Sequence, residues 1–128
     1  MRFLLDTHFV IWVAIGDPRL KPAARAVLNN RANEFLFSVS SIWEIAIKSA
    51  LKRRDFLFDP REIRRQFIAN GYEELPILGH HVVAVDSLPP IHKDPFDRIL
   101  IAQAMVEGIT LLTADPVIAQ YPGPIRKF

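Results

Sequence analysis

Four carboxylates stand where a folded domain places an acid only for a reason. Asp6 ends the apolar run Phe3-Leu4-Leu5, and Glu44 interrupts Ile42-Trp43-Glu44-Ile45-Ala46-Ile47. Asp97 opens Ile99-Leu100-Ile101-Ala102, and Asp115 closes Ile109-Thr110-Leu111-Leu112-Thr113-Ala114. Acids are seldom buried unless they are paired, hydrogen-bonded or bound to a cation. Brought together, four carboxylates form an oxygen-rich site for a hard divalent ion such as Mg²⁺ or Mn²⁺. An ion of that kind activates bound water and neutralises charge on a phosphoryl group, which is the chemistry of phosphodiester hydrolysis.

Each acid also has an ordinary role open to it. Asp6 precedes Thr7, and Asp97 falls in the first turn of a helix, so both complement a helix dipole. Asp94 sits in the turn string Lys93-Asp94-Pro95 and suits a helix N-cap. Asp115-Pro116 reads as a turn and helix start. Glu44 has Lys48 four residues on, an ion pair worth roughly 0.3–0.5 kcal/mol on a helix. That pair accounts poorly for Glu44, because its helix is apolar on most sides and reads as largely buried.

The elements that must position these acids alternate in type. Strands are expected at 2–5, 34–38, 73–76 and 109–113, with a further edge strand in the tail. Helices are expected at 7–15 with Thr7 as N-cap, at 23–30 after Pro22, and up to residue 51 from a Ser40 or Ser41 cap. Others follow at 61–69 after Asp59-Pro60, at 79–85, at 96–107 closed by Gly108, and briefly at 116–119, with a Pro-rich loop at 87–95. Short apolar strands alternating with helices predict a parallel sheet covered on both faces. Ligands of such sheets bind beyond the carboxyl ends of the strands, and Asp6 and Asp115 both lie just past one.

Composition narrows the function. The chain has 128 residues, 50% of them hydrophobic, which suits one domain, 1–128, with a substantial core. It has no cysteine, which excludes disulfides and thiolate zinc sites and fits a reducing cytoplasm. The N-terminal Arg2 and apolar run meet Asp6 and His8 too soon for a signal peptide, and no stretch is long and apolar enough for a membrane span. Net charge is only +2, so attraction to nucleic acid, if any, is local. Between Lys48 and Arg65, seven basic residues (Lys48, Lys52, Arg53, Arg54, Arg61, Arg64, Arg65) face three acids. This run reads either as an RNA-binding flank or as a solvated helix face. Phosphate-binding Gly loops and a Gly-x-Ser-x-Gly elbow are absent.

Four strings in register resemble the PIN-domain ribonucleases, and most closely the VapC-like toxins of toxin–antitoxin pairs. They are Leu4-Leu5-Asp6-Thr7-His8, Ser40-Ser41-Ile42-Trp43-Glu44-Ile45, Asp94-Pro95-Phe96-Asp97-Arg98 with Ile101-Ala102-Gln103-Ala104, and Leu112-Thr113-Ala114-Asp115. The resemblance covers nearly the whole chain. It implies a three-layer α/β/α sandwich with a mainly parallel sheet. It also implies Mg²⁺- or Mn²⁺-dependent cleavage of RNA, with Asp6, Glu44, Asp97 and Asp115 as the acidic quartet. Asp6 and Asp97 are expected to bind metal directly. Thr7, Asp94, Arg98 and Thr113 are expected in support, Thr113 by orienting a carboxylate or water, and Arg98 by reaching a phosphate or a neighbouring acid. An antitoxin protein and a second copy of the chain are the partners that the resemblance implies.

Some features remain outside that scheme. His8 and His92 are expected to line the acidic cleft, and His80-His81 to form a surface or helix-cap pair. Phe9, Trp12 and Trp43 read as core. An aspartate-nucleophile phosphatase also carries an Asp after its first strand, but it wants an acid two residues later, where this chain has His8. A non-catalytic RNA- or protein-binding module on the same fold is the other alternative.

Overall fold

The computed structural model describes residues 1–51 and 58–128. Five strands form one sheet: β1 (Arg2–Leu5), β2 (Glu34–Ser38), β3 (Glu73–Leu75), β4 (Thr110–Thr113) and β5 (Ile125–Lys127). Their spatial order is β3-β2-β1-β4-β5, and every neighbouring pair is parallel. The helices are α1 (Thr7–Ile15), α2 (Pro22–Leu28), α3 (Val39–Ala50), α4 (Pro60–Ala69), α5 (Gly79–Ala84) and α6 (Pro95–Glu107).

Side chains alternate across the sheet, and each face has its own core. Phe3, Leu5, Phe37 and Leu112 point to one side, where Val10, Ala24, Ile45, Ile63 and Phe67 from α1–α4 cover them. Leu4, Leu36, Leu75 and Leu111 point to the other, against Leu100, Ile101 and Ala104 of α6. This explains the apolar runs of the central strands, Phe3-Leu4-Leu5 and Leu111-Leu112: in a sheet covered on both faces, successive positions there are inward. The three-layer α/β/α sandwich with a parallel sheet is the architecture expected from the sequence.

Chain direction places the site. From β1 the chain steps to β2 and β3, then returns to the far side of β1 for β4 and β5. Crossovers of one hand put the helices of a reversed step on the opposite face, which is where α6 lies. The reversal leaves a crevice beyond the carboxyl ends of β1 and β4.

Several element starts differ from expectation by a residue or two. Asp6, not Thr7, caps α1: it is extended (φ −72°, ψ 170°) and its Oδ1 accepts the Phe9 N–H. Thr7 is left inside the first turn, where its hydroxyl donates to Ser41 Oγ at 3.0 Å. Neither Ser40 nor Ser41 caps α3. β2 runs straight into the helix, Ser38 accepts the Ser40 N–H, and both later serines are buried. The short helix after Asp115 is a single 3₁₀ turn, Ile118–Gln120.

One side-chain expectation fails, and that of a surface or helix-cap pair at His80-His81 holds in part, with His80 at the surface and His81 capping α5 from a buried position. Trp43 is 58% exposed rather than core and meets Phe96 edge-on at 5.2 Å. The inner stripe of α3 is Ser40, Ser41, Glu44 and Ile45, which turns Trp43 and Ile47 outward. His81 is fully buried rather than at the surface, although His80 is exposed. The Leu78 N–H donates to His81 Nδ1 at 3.0 Å, and Nε2 lies 2.8 Å from Glu107 Oε2. The ring thus ties α5 to the end of α6 with both nitrogens engaged.

Candidate functional site

The crevice gathers the four acids from four elements. Asp6 follows β1, and its N–H donates to the Leu112 carbonyl of neighbouring β4 at 3.1 Å. Asp115 follows β4. Glu44 lies on the inner stripe of α3, which leaves the end of β2. Asp97 sits in the first turn of α6, which Asp94 caps by accepting the Phe96 and Asp97 N–H groups at 2.8 and 3.3 Å. Pro95 suits that turn because its missing N–H would have had no helical partner.

The links between them are short. Thr113 Oγ1 donates to Asp6 Oδ2 at 2.6 Å and accepts the Asp115 N–H at 2.9 Å. One hydroxyl therefore orients two of the acids. Asp6 Oδ1 accepts the Phe9 N–H at 2.9 Å, and Asp115 Oδ1 accepts the Val117 N–H at 2.8 Å. His92 Nε2 stands 2.8 Å from Asp97 Oδ2 and 3.8 Å from Asp115 Oδ2. The Asp94 N–H approaches His92 Nδ1 at 3.4 Å, which leaves the Nε2 side of the ring toward the acids.

The electrostatics show that the acids share one environment. Asp6 is 1% exposed, and burial raises its pKa to about 6, with Asp115 and Glu44 pushing the same way against the Thr113 and Phe9 hydrogen bonds. Asp97 is pushed up to about 7, first by burial, then by the charges of Asp94 and Glu44, with His92 opposing and Asp6 adding a little. Like charges confined in a poorly hydrated place resist joint ionisation.

The donors fit a hard cation. Glu44 is 3% exposed: Lys48 Nζ holds its Oε2 at 2.5 Å, whereas buried Oε1 has no hydrogen-bond partner among the described residues. So the expected Lys48 pair exists but satisfies half of the carboxylate. A buried carboxylate oxygen without a partner is costly, and a divalent ion is the kind of group that removes the cost. The oxygens of Asp6, Glu44, Asp97 and Asp115 match the ligand preference of Mg²⁺ and Mn²⁺.

Other expected site residues are placed as follows. Arg98 turns away from the acids. Its Nη1 donates to the carbonyls of Pro89 and His92 at 3.0 and 3.4 Å and to Tyr121 Oη at 3.1 Å, and its Nη2 to the carbonyls of Val85 and Leu88 at 3.2 and 3.5 Å. It fastens the Pro-rich loop that carries His92. Tyr121 Oη also accepts the His92 N–H at 2.6 Å, a role with no signal in the sequence. Arg64 pairs with Glu74 at 2.5 Å and Arg65 pairs with Glu62, so these two basic groups are held by their own acidic neighbours. Arg61 is exposed, while Lys52, Arg53 and Arg54 lie outside the described residues. His8 is exposed and lines a cleft of about 250 Å³ with Asp6, Trp12, Arg19, Ala114 and Asp115.

Comparison with known proteins agrees with this geometry. No curated protein matches the sequence. Among solved structures, a chain of the DNA-bound VapBC2 complex from Rickettsia felis superposes with a TM-score of 0.74 at 14% identity, covering 99% of this chain and 98% of that one. A chain of DNA-bound VapBC from Salmonella typhimurium gives 0.68 at 17% identity, with 99% and 98% covered. A chain of a toxin–antitoxin complex from Klebsiella pneumoniae gives 0.66 at 17% identity, with 97% and 95% covered. At these identities the likeness is one of fold. The model of the PIN domain matches residues 3–124, and the chain belongs to the PIN domain family.

Proposed function

We propose that the protein is a metal-dependent ribonuclease, the toxin of a toxin–antitoxin pair, and that residues 1–128 form one catalytic domain. The observation that carries this reading is the convergence of Asp6, Glu44, Asp97 and Asp115, in which burial and neighbouring carboxylates raise the pKa of Asp6 and Asp97 and the buried Glu44 Oε1 lacks a partner among the described residues. Asp6 and Asp97 would hold the ion directly, while Glu44 and Asp115 complete the shell or hold its waters. A bound Mg²⁺ or Mn²⁺ would supply an activated water and charge neutralisation at the phosphoryl group. The chain's own contribution is orientation. Thr113 fixes the carboxylates that follow β1 and β4 relative to each other, and His92 holds Oδ2 of Asp97.

The solved relatives in the VapBC complexes support an antitoxin as partner. An exposed apolar row on and just after α3, Trp43, Ile47 and Leu51, is a surface that an antitoxin or a second copy of the chain would cover. The absence of cysteine suits a cytoplasmic setting. Among the described residues, no helix is long and apolar enough to cross a membrane.

The test is cleavage of tRNA, rRNA and mRNA by the purified chain with millimolar Mg²⁺ or Mn²⁺, with EDTA and an Asp97→Asn variant as controls. Ion-dependent cleavage lost in both controls is expected. RNA bound but never cut under any divalent ion would replace this reading with a non-catalytic binding module.

A further inference from the structure

We propose that the cleft running from Asp6 and Asp115 to Arg19 is a subsite for one nucleotide of single-stranded RNA, with His8 and Arg19 supplying its contacts. The proposal rests on the nuclease reading only for the nature of the polymer. Beyond Asp6 and Asp115 at one end, its contacts come from residues outside the acidic quartet and the basic run.

The cleft opens beside the carboxylates. Asp6 and Asp115 form one end, and His8, Trp12 and Arg19 form the rest with Ala114. Its volume of about 250 Å³ is below the roughly 300–1,000 Å³ that encloses a drug-sized ligand, so it takes a single ring system rather than a bulky chain. The far end is a planar guanidinium held in an ion pair. Arg19 lies over the Trp12 ring at 5.3 Å, and its Nε and Nη2 bind Asp17 Oδ1 and Oδ2 at 3.1 and 2.7 Å. Asp17 is shielded while Arg19 stays mostly exposed, so the acid acts as a bracket for the guanidinium. With Nε and Nη2 committed, the Nη1 edge is the one left to meet an anion.

The local sequence builds this bracket. Gly16 ends α1 in the left-handed region (φ 66°), and its N–H returns to the Trp12 carbonyl. That reversal carries Asp17 and Arg19 back over the ring one turn earlier in the helix. His8, a turn before Trp12, stands exposed, with its ring centroid 6.1 Å from the indole. Two planar groups, an imidazole and a guanidinium backed by an indole, therefore flank one mouth.

A nucleotide satisfies both ends, whereas a simple anion or a simple aromatic satisfies one. Unpaired RNA bases stack on aromatic side chains and on Arg guanidinium planes, and phosphates take charge-assisted bonds from Arg. With the scissile phosphate at the acids, the adjoining base lies against His8 and Arg19, and the next phosphate reaches the Nη1 edge. Arg19 thereby becomes the cation beside the acidic centre that Arg98, spent on loop carbonyls, does not provide.

The chain supplies its own reporter. It has two tryptophans, Trp12 in the cleft wall and Trp43 on the outer side of α3. Trp43→Phe leaves Trp12 as the sole emitter, and Asp97→Asn in the same protein prevents cleavage during the measurement. Titration with a short single-stranded oligoribonucleotide in millimolar Mg²⁺ should change Trp12 emission saturably. Adding His8→Ala and Arg19→Gln, both exposed positions, should raise Kd about tenfold, the scale of losing one stacked base. In the cleaving protein the same pair should act more on KM than on kcat. A silent Trp12, or a Kd within about twofold of the parent, overturns the subsite. The two readings fail separately: RNA cut with Trp12 silent retains the nuclease and discards the subsite, and a responsive Trp12 without cleavage does the reverse.

Discussion

At the residue scale, the question is what a buried carboxylate gains from being there. Asp6 caps α1 and accepts a hydroxyl, so part of its presence is structural. Asparagine keeps the cap, because its carbonyl oxygen accepts the Phe9 N–H and Asn caps helices as well as Asp, and its NH2 in the place of Oδ2 donates to Thr113 Oγ1 instead of accepting from it. What Asn lacks is the charge. Asp6→Asn and Asp97→Asn are therefore expected to keep the fold and to lose cleavage. The loss should exceed the roughly 10–100-fold that follows removal of an outer-shell partner. In EDTA at pH 8 neither variant should melt below the parent, since each removes a charge that burial and its neighbours oppose. Parallel melting curves and cleavage rates check both halves. Full activity in either variant, or a melting temperature several degrees lower, would show that the acid serves the fold rather than the chemistry.

At the element scale, α6 and the Pro-rich loop before it decide whether Asp97 meets its partners. Arg98 satisfies four loop carbonyls and Tyr121, and Tyr121 takes the His92 N–H. Arg98→Met keeps much of the stem volume but leaves these acceptors without their donor, at about 1–3 kcal/mol for each group that water cannot reach. The variant should melt several degrees lower and bind Mn²⁺ more weakly, as read by calorimetry, because His92 loses its tether. An Arg98 that served RNA phosphate alone would instead leave the melt unchanged and raise KM. This is also where the sequence was least legible. The elements themselves followed from period and caps: Gly16 and Gly108 stop α1 and α6, and Pro60 and Pro95 start α4 and α6. The four acids were visible as charges inside apolar runs. Arg98 beside Asp97 read as a ligand of a phosphate or of a neighbouring acid, because adjacency in sequence says nothing of rotation about a helix. Trp43 looked like core because an apolar residue on a mixed helix does not announce that serines and Glu44 take the inner face. Tyr121 and Arg19 gave no signal, since their partners lie 29 and 2 residues away in turns whose geometry only the fold creates.

At the scale of the whole molecule, the topology stores a conflict that an ion relieves. Reversing strand order at β1 and β4 brings carboxylates from both halves of the sheet to one crevice, and two of them resist ionisation there. Raising Asp6 from 3.8 to about 6 corresponds to roughly 3 kcal/mol against its ionised form. Asp97, raised to about 7, adds in the same direction. The sign follows from proton counting. Between about pH 4 and pH 7 the folded chain binds more protons at these two groups than the unfolded chain does. The contribution of these two groups to stability then falls as pH rises through that window and levels off above it. A divalent ion on the carboxylates reverses the penalty, and by mass action it stabilises the fold in proportion to its occupancy. Protons compete for the same oxygens, so that gain must be larger at pH 8 than at pH 5. In EDTA the parent should thus lose more stability between pH 5 and pH 8 than Asp97→Asn does, and the comparison subtracts the titrating groups remote from Asp97. Millimolar Mg²⁺ or Mn²⁺ should raise the melting temperature of the parent at pH 8 by several degrees, at pH 5 by less, and that of Asp97→Asn by little at either pH. Equal gains at the two pH values, or a parent and variant with the same pH slope, would mean that the acids do not act as one cation site.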